Sequence, residues 1–319
     1  MSTAKCGVVG VALNRMSQCE SRVVIARRTT MFRRILIVVI ALAMLPITVA
    51  ATRAHDESKY PDWRGEWRRI AVPSGFYRGV QYDPHKPAGP GQQAPLTPEY
   101  QKIFEANLTD QALGGQGGDP TYRCLSPGMP RIMGPYGEME IVVLPEITYV
   151  LIDHIHDNRR IYTDGRDFPA NMAGDPQFNG YSIGRWADEG GDGRYDTLIV
   201  ETRGMKGPRT FEMTGIPLHE DNQTIVKERI YLDKSDPNLL HNEITTIDNA
   251  LTRPWVVTKE YRRTQTNQPI WWKESVCAEN NVHVTIGNEV YYLSGDGLLM
   301  PSKKGQPPPD LRYFKQPTR

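Results

Sequence analysis

Short runs of β-branched and aromatic residues, separated by turn residues, follow one another along most of the second half of the chain. Several runs alternate in polarity, as in the segment where Val226, Glu228 and Ile230 share one face. Such alternation indicates strands with one buried and one exposed face, and no long helix interrupts them. The sequence predicts nine strands, at residues 139–144, 148–156, 159–163, 182–186, 197–202, 224–232, 240–247, 255–262 and 270–277.

Strands joined by short links pair most simply in antiparallel order, because a parallel crossover needs a dozen or more residues. An open meander leaves two unpaired edges, and closure removes them. We therefore predict an all-β fold, an antiparallel up-and-down meander that closes into a barrel. Gly65, Glu66 and Trp67 form a G-x-W motif that resembles the first-strand signature of lipocalins and their calycin relatives. The resemblance implies a lipocalin-like barrel.

Residues 31–54 contain the three parts of a secretory signal peptide. Arg33 and Arg34 precede an apolar run, and small residues at Ala50 and Ala54 follow it. The run is interrupted by Pro46 and is shorter than the roughly 20 apolar residues of a membrane-spanning helix, so cleavage is favoured over a retained anchor. We expect residues 1–30 to be an upstream extension and the protein to be periplasmic or secreted, without a stable membrane span after cleavage.

The sequence pattern divides the remaining chain into an irregular N-terminal segment (55–135), a β-barrel core (136–281) and a C-terminal extension (282–319). One helix is predicted in the irregular segment, over residues 98–108, with Thr97 as N-cap and Pro98 at the first helical position. Its apolar side would carry Tyr100, Ile103, Phe104 and Leu108. The proline-rich tail from residue 301 is expected to lie extended.

Charge and cysteine content narrow the function classes. Lys and Arg number 38 and Asp and Glu 37, so no net field attracts nucleic acid or an anionic membrane surface. Cys124 and Cys277 are the two cysteines that follow the signal peptide. In an oxidising compartment they most simply form one disulfide, and two separate buried thiols are the alternative. Neither lies in a C-x-x-C pair, so a zinc site and a thioredoxin-like redox function are unsupported. No cofactor is predicted.

Three motifs have a chemical and a plainer interpretation. Residues 180–184 match the G-x-S-x-G nucleophile elbow, but Ser182 is followed by a glycine-rich turn instead of the helix the elbow needs, which favours a strand serine between two close-approach glycines. His154 and His156 share a strand face and could hold a metal, but a third ligand is missing, so surface or hydrogen-bonded histidines are favoured. The carboxylates of the turn at residues 188–196 could bind calcium, although a solvated hairpin loop is favoured.

Charged residues recur among apolar neighbours throughout the strand region. Inward-facing charges must pair, and such pairs are where pKa values move and proton transfer becomes possible, whereas outward-facing charges only solubilise the surface. The alternation does not decide which face is inside, so both interpretations stay open. The residues concerned are Asp153, Arg160, Asp164, Arg166, Arg185, Glu228, Glu243 and Glu274.

An ordered set of short motifs resembles a family of exported, largely uncharacterised proteobacterial proteins. The likeness covers about residues 120–281 and implies family membership without a particular reaction. Phe168 and Tyr181 stand where relatives usually carry histidine, which disfavours histidine-based chemistry, and residues 187–195 lengthen a turn. The likeness includes Cys124 and the PGMPR that follows it, which agrees with pairing to Cys277. The motifs are RRIYTDGR (159–166), SIGRW (182–186), DTLIV (196–200), ERI (228–230), TRPW (252–255) and CAENN (277–281).

Three functional hypotheses follow. In the first, the barrel binds a small apolar or aromatic molecule, because a barrel mouth lined by aromatic and arginine side chains suits such a ligand. Its contacts would come from Arg160, Tyr162, Arg185 and Trp186. In the second, the protein is a cofactor-independent lyase, isomerase or hydrolase, with Asp153 or Glu228 as the base. In the third, it is a structural envelope protein.

Overall fold

Nine strands close into a barrel in the computed structural model. The structure describes residues 56–70, 94–135, 137–153, 157–264, 272, 276–277, 282–287 and 289–310. The barrel strands are β1 (Glu66–Arg69), β2 (Glu138–Val143), β3 (Ile147–Ile152), β4 (Asn158–Tyr162), β5 (Tyr181–Ala187), β6 (Thr197–Arg203), β7 (Ile225–Leu232), β8 (Leu239–Ile247) and β9 (Trp255–Arg263). The all-β prediction is confirmed, and buried residues alternate along most of these strands as expected.

Strand order follows the chain around the whole ring, and β1 pairs with β9 to close it. Every neighbouring pair is antiparallel except β4 and β5, which run parallel. An odd number of strands cannot close with antiparallel pairs alone, so the purely antiparallel meander that we predicted needed this exception. Residues 163–180 carry the chain back along the barrel and make the parallel pair possible. We call the β4–β5 pair the seam; it is joined only at Ile161↔Ser182 and Tyr162↔Ile183.

Eight of the nine predicted strands correspond to β2–β9. The remaining barrel strand, β1, contains the Trp67 of the G-x-W motif and was not among the predicted strands. Most of the predicted strand at 270–277 lies outside the described residues. The strand order gives the barrel two different ends. The β2–β3, β5–β6 and β7–β8 connections lie at one end, which we call the hairpin end. The long β1–β2 and β6–β7 connections lie at the other end, together with β3–β4 and β8–β9, and we call it the loop end.

The one predicted helix is present as α1 (Pro98–Ala112) and extends four residues beyond the predicted end. Thr97 is its N-cap, and the threonine side chain accepts a hydrogen bond from the Tyr100 N–H at 3.4 Å. Phe104 is fully buried as expected, whereas Ile103 is 41% exposed, so the buried face is narrower than the predicted one.

A second, three-stranded sheet follows the barrel in the chain and was not predicted. It consists of β10 (His283–Ile286), β11 (Glu289–Leu293) and β12 (Leu299–Pro301), all antiparallel. The residues after β12 run back along α1, where the Lys304 N–H donates to the Leu113 carbonyl at 2.8 Å. The predicted disulfide between Cys124 and Cys277 is confirmed, with the two Cα atoms 5.5 Å apart.

Candidate functional site

The middle of the barrel is filled by side chains. Inward-facing residues of eight of the nine strands are buried in one hydrophobic cluster, and the partly buried Trp186 of β5 packs against it. A short 3-10 turn (Arg131–Met133) also reaches the interior, because the Tyr261 hydroxyl on β9 donates to the Met133 carbonyl at 2.5 Å. The Phe211 ring, from the β6–β7 connection, lies 4.3 Å from the Trp255 ring between centroids. Chain segments from the loop end therefore occupy space that a ligand in the lumen would need.

Glu228, one of the two candidate bases, lies in this interior on β7 and is 3% exposed. Its carboxylate faces Arg159 on β4, whose Nη1 donates to Oε1 at 2.9 Å while Nη2 bonds Oε2. Asn242 Nδ2 on β8 donates to the same Oε1 at 2.9 Å. The Arg159 Nη2 also donates to the Thr202 hydroxyl at 3.1 Å, which in turn is 2.7 Å from the Ser182 hydroxyl. We call these five residues the Glu228 cluster.

The Glu228 cluster has the properties of a structural ion pair. The guanidinium of Arg159 binds both carboxylate oxygens, which is the strong bidentate geometry, and Asn242 adds a further donor. A general base must reach a substrate proton, and the buried, multiply bonded Glu228 presents no accessible oxygen. The geometry therefore gives no support to Glu228 as a base.

Sequence analysis did not identify Lys259, which is completely buried on the inner face of β9. Burial lowers the pKa of Lys259 well below its ordinary value, and the positive charge of Arg69 lowers it further. Lys259 Nζ lies 3.5 Å from the Pro130 carbonyl and 5.1 Å from the Phe211 ring centroid. The sequence does indicate this burial, because Lys259 lies two residues from apolar positions of the same strand and therefore shares their inward face.

Two further buried ion pairs lie around Lys259. Arg69 Nη1 is 3.0 Å from Glu212 Oε2, and Arg131 Nη2 is 3.2 Å from Asp119 Oδ2. All four side chains are at least nine-tenths buried. Each of these charges is matched within the fold, as in the Glu228 cluster.

The four predicted ligand-contact residues do not meet at one place. Arg160 and Arg185 are exposed on the outside of the barrel, and Tyr162 also points outward, because Arg159, Ile161 and Ser182 take the inward positions of their strands. Only Trp186 lies on the inner face of its strand. The register of β4 and β5 therefore separates Trp186 from the other three residues, whose neighbours lie inside, and ligand contact by these four residues stays a prediction.

Tyr162 belongs instead to an exterior group. Its ring stacks on that of Tyr181 at 5.0 Å between centroids, and the Arg166 guanidinium lies 4.0 Å from the Tyr162 ring centroid. Arg166 also pairs with Asp164 at 2.6 Å. The Arg203 guanidinium lies 5.1 Å from the Phe168 ring centroid, and the Phe168 ring contacts that of Tyr181. Phe168 and Tyr181, the two positions where relatives were expected to carry histidine, therefore both lie in this group.

Trp186 lies at the hairpin end, where its ring contacts three other aromatic rings. Its ring centroid is 5.0 Å from that of Trp63, 5.4 Å from Tyr60 and 6.4 Å from Tyr195. Tyr60 and Tyr195 are 5.2 Å apart. The segment before β1 brings Tyr60 and Trp63 here, and the Tyr195 N–H donates to the Lys59 carbonyl at 2.8 Å. We call Tyr60, Trp63, Trp186 and Tyr195 the aromatic cluster.

Two polar atoms of the aromatic cluster have no partner in the part of the chain that the structure describes. The indole N–H groups of Trp63 and Trp186 are buried, and among the described residues neither has a hydrogen-bond acceptor. By contrast, the indole of Trp67, four residues further along the chain, donates to the Trp63 carbonyl at 2.9 Å. Tyr195 is 37% exposed, so the cluster reaches the protein surface.

Asp153, the other candidate base, follows β3 at the loop end and is half-buried. Its N–H donates to the Glu138 carbonyl at 3.2 Å, and its carboxylate lies against Gly137, where a Cβ would come within 2.2 Å of Oδ1. Asp153 therefore lies apart from Trp186, which is at the hairpin end, and outside the Glu228 cluster.

The remaining motifs take their plainer forms where they are described. Ser182 is a buried strand residue, and a Cβ on Gly184 would meet Ile161 at 2.9 Å, which explains the close-approach glycine. In the turn at 188–196, Asp188 accepts hydrogen bonds from three backbone N–H groups and Asp196 from two. His154, His156 and Glu274 lie outside the described residues. The described part of the chain contains no group of three or more His, Cys, Asp or Glu side chains that could hold a metal.

No protein-family model matches the chain, and no curated protein does so. The predicted membership of an exported family therefore stays a prediction. Within the described ranges, no helix is both long and apolar enough to cross a membrane.

Proposed function

We propose that the protein is exported and binds a small aromatic molecule at the hairpin end of the barrel, against the aromatic cluster. The unpartnered indole N–H groups of Trp63 and Trp186 carry this proposal. A buried donor without an acceptor costs about 1 to 3 kcal/mol, and an oxygen on a ligand would recover that energy.

The rings of the cluster favour an aromatic partner. Their centroid distances, from 5.0 to 6.4 Å, fall in the range in which aromatic rings attract one another. Trp186 and Tyr60 are only partly buried and Tyr195 is exposed, so a further ring has surface to contact. Because the middle of the barrel is filled, this end is a better place for a ligand than the lumen.

An uncharged acceptor suits the cluster better than an anion. Burial raises the pKa of Tyr60, and the neighbouring Tyr195 raises it further, so negative charge is disfavoured at this place. The expected ligand therefore carries a carbonyl or ether oxygen. Both indole N–H groups are buried, so the segment before β1, which brings Tyr60 and Trp63 here, must shift for that oxygen to reach them.

Export is supported by the apolar run and small-residue exit of residues 31–54. The disulfide between Cys124 and Cys277 fits an oxidising compartment. Amino-terminal sequencing of protein recovered from the periplasm would test this: we expect a start near residue 55. A chain recovered only from the cytoplasm with residues 31–54 intact would contradict export.

A matched pair of probes tests the ligand site. Acetophenone and ethylbenzene have similar shapes, but only acetophenone carries an oxygen acceptor. We expect acetophenone to bind more tightly to the full chain, and Trp186→Phe to weaken it about fivefold while leaving ethylbenzene unchanged, because one hydrogen bond contributes about 1 kcal/mol. Ligand-observed NMR titration measures both affinities.

Trp272→Phe is the control, since Trp272 is an exposed tryptophan outside the cluster. Equal binding of the two probes, or an equal loss in Trp272→Phe, would contradict the proposal. Absence of any probe binding would favour the structural envelope hypothesis. Conversion of a compound by the protein would revive the enzyme hypothesis, with Asp153→Asn as its first test because Glu228 is inaccessible.

A further inference from the structure

A separate cleft lies outside the barrel, between α1 and the three-stranded sheet. Its volume is about 400 Å³, within the range of small-molecule sites. One wall is α1 with Asp110, another is the turn from Gln116 to Arg123, and the third comes from Glu289 on β11 and Lys303 after β12. These segments are far apart in sequence, so the cleft exists only in the folded chain.

The acidic groups of the cleft are already neutralised. Lys303 Nζ is 2.8 Å from Asp110 Oδ1 and 2.9 Å from Glu289 Oε2. Burial raises the pKa of Asp110, but hydrogen bonds from Lys303 and from the Gly117 N–H outweigh it and hold the pKa below its ordinary value. Asp119 pairs with the buried Arg131. Each of these carboxylates therefore already has a cationic partner, which leaves little demand for another cation.

Two donors in the same cleft are unused. The Gln116 side chain is more than nine-tenths buried, and its Nε2 has no hydrogen-bond partner among the described residues. The Arg123 guanidinium, which is half-buried, also makes no hydrogen bond or ion pair within the described ranges. Both belong to one ordered turn: the Asp119 N–H donates to the Gln116 carbonyl at 3.3 Å, and the 3-10 helix Pro120–Arg123 follows directly.

The position of Arg123 is fixed by the covalent structure beside it. Cys124 follows Arg123 and is bound to Cys277. Asp119 caps the 3-10 helix by accepting from the Thr121 N–H at 3.0 Å. The turn is therefore held at both ends, which lowers the entropic cost of using Arg123 and Gln116 to bind a ligand.

We propose that this cleft binds a small aliphatic carboxylate, held by the guanidinium of Arg123 and the amide of Gln116. A guanidinium binds a carboxylate with two parallel hydrogen bonds, and the amide N–H₂ supplies a third donor. Ala106 and Val290, which also line the cleft, offer apolar contact to the carbon chain of the ligand. This site is independent of the aromatic cluster, and its ligand is charged where the other is not.

Butanoate and butanamide are suitable probes, because they differ in charge and contain no ring that would bind the aromatic cluster. We expect butanoate to bind the full chain more tightly than butanamide, measured by NMR titration. Arg123→Gln should weaken butanoate about 10- to 100-fold, as expected for a charged hydrogen-bonded pair. Gln116→Met should weaken it about fivefold.

Arg185→Gln is the matched control, because Arg185 is an exposed arginine on the outside of the barrel. It should leave butanoate affinity unchanged. If Arg123→Gln does not fold, Arg123→Lys keeps the charge without the planar fork and should give an intermediate loss. Equal binding of the two probes, unchanged affinity in the folded Arg123 variant, or an equal loss in Arg185→Gln would each overturn the proposal, as would absence of butanoate binding.

Discussion

The buried ion pairs of the barrel interior and the buried amide donor of the outer cleft differ in whether they have a partner. Inside the barrel, Glu228 and Arg159 satisfy one another, and Arg69 and Glu212 do the same. In the cleft, Gln116 has a side-chain donor without an acceptor among the described residues, as Trp63 and Trp186 do at the hairpin end. A buried polar group that is fully paired stabilises the folded state, whereas an unpaired one destabilises it. A ligand that pairs with the unpaired group recovers this cost. The difference separates structural charges from candidate binding groups.

The largest expected effect is at the Glu228 cluster. Glu228→Gln removes the negative charge and leaves the Arg159 guanidinium buried without its counter-ion, so the free energy of unfolding should fall by about 3 to 5 kcal/mol. Urea unfolding followed by far-UV circular dichroism measures the change. The double variant Arg159→Met, Glu228→Leu should recover most of the loss, because it removes both charges together. A loss below about 1 kcal/mol in Glu228→Gln would show that the pair is not structural.

Lys259 should respond in the opposite direction. Its amine is buried with a pKa lowered by desolvation, so Lys259→Met should raise the free energy of unfolding by about 1 to 4 kcal/mol near neutral pH. The unfolded chain takes up a proton at Lys259 below its ordinary pKa of 10.5, while the folded chain does not until much lower pH. The destabilising contribution of Lys259 should therefore fall as pH increases towards 10.5, and the advantage of Lys259→Met should shrink.

Urea unfolding at several pH values between neutrality and pH 10.5 tests this. Lys227→Met is the control, because Lys227 is an exposed lysine on β7 and should show neither change. An advantage of Lys259→Met that stays constant across that range would contradict a lowered pKa for Lys259.

The smallest effect is at Gln116, and it has a sign opposite to that at Glu228. Removal of the unpaired amide in Gln116→Met should stabilise the folded chain by about 1 kcal/mol while it weakens carboxylate binding. Gln223→Met, at an exposed position, should change neither quantity. Destabilisation by Gln116→Met would mean that the amide is already satisfied within the fold, and the contrast between interior and cleft would no longer hold there.

Much of the barrel was predictable because its strands alternate with period two and lie next to one another in sequence. Strands β2 to β9 were recognised, and α1 was found from Thr97 and Pro98. The parallel pair β4–β5 was missed, because direction depends on the path of residues 163–180 and not on the pattern of either strand. Strands β10 to β12 were missed because they are short and lie in a segment that was interpreted as an extension.

The site was less predictable than the fold, because a one-residue shift in register exchanges inside and outside. Arg160 was the predicted ligand contact on β4, whereas its neighbour Arg159 is the arginine that faces inward. The cleft could not be foreseen, since it joins α1 to residues of the C-terminal sheet, and no sequence pattern relates Gln116 to Lys303. The disulfide was predictable because only Cys124 and Cys277 follow the predicted signal peptide.

The seam has a consequence for how the chain reaches its ring. Only two residue pairs join β4 to β5, whereas eight join β7 to β8, so the seam contributes little to early assembly. Strands β5 to β9 are sequence neighbours and can zip together as an arc soon after synthesis. Strand β1 must instead wait for β2 and β9, which lie far along the chain, and its arrival is the event that completes the circle.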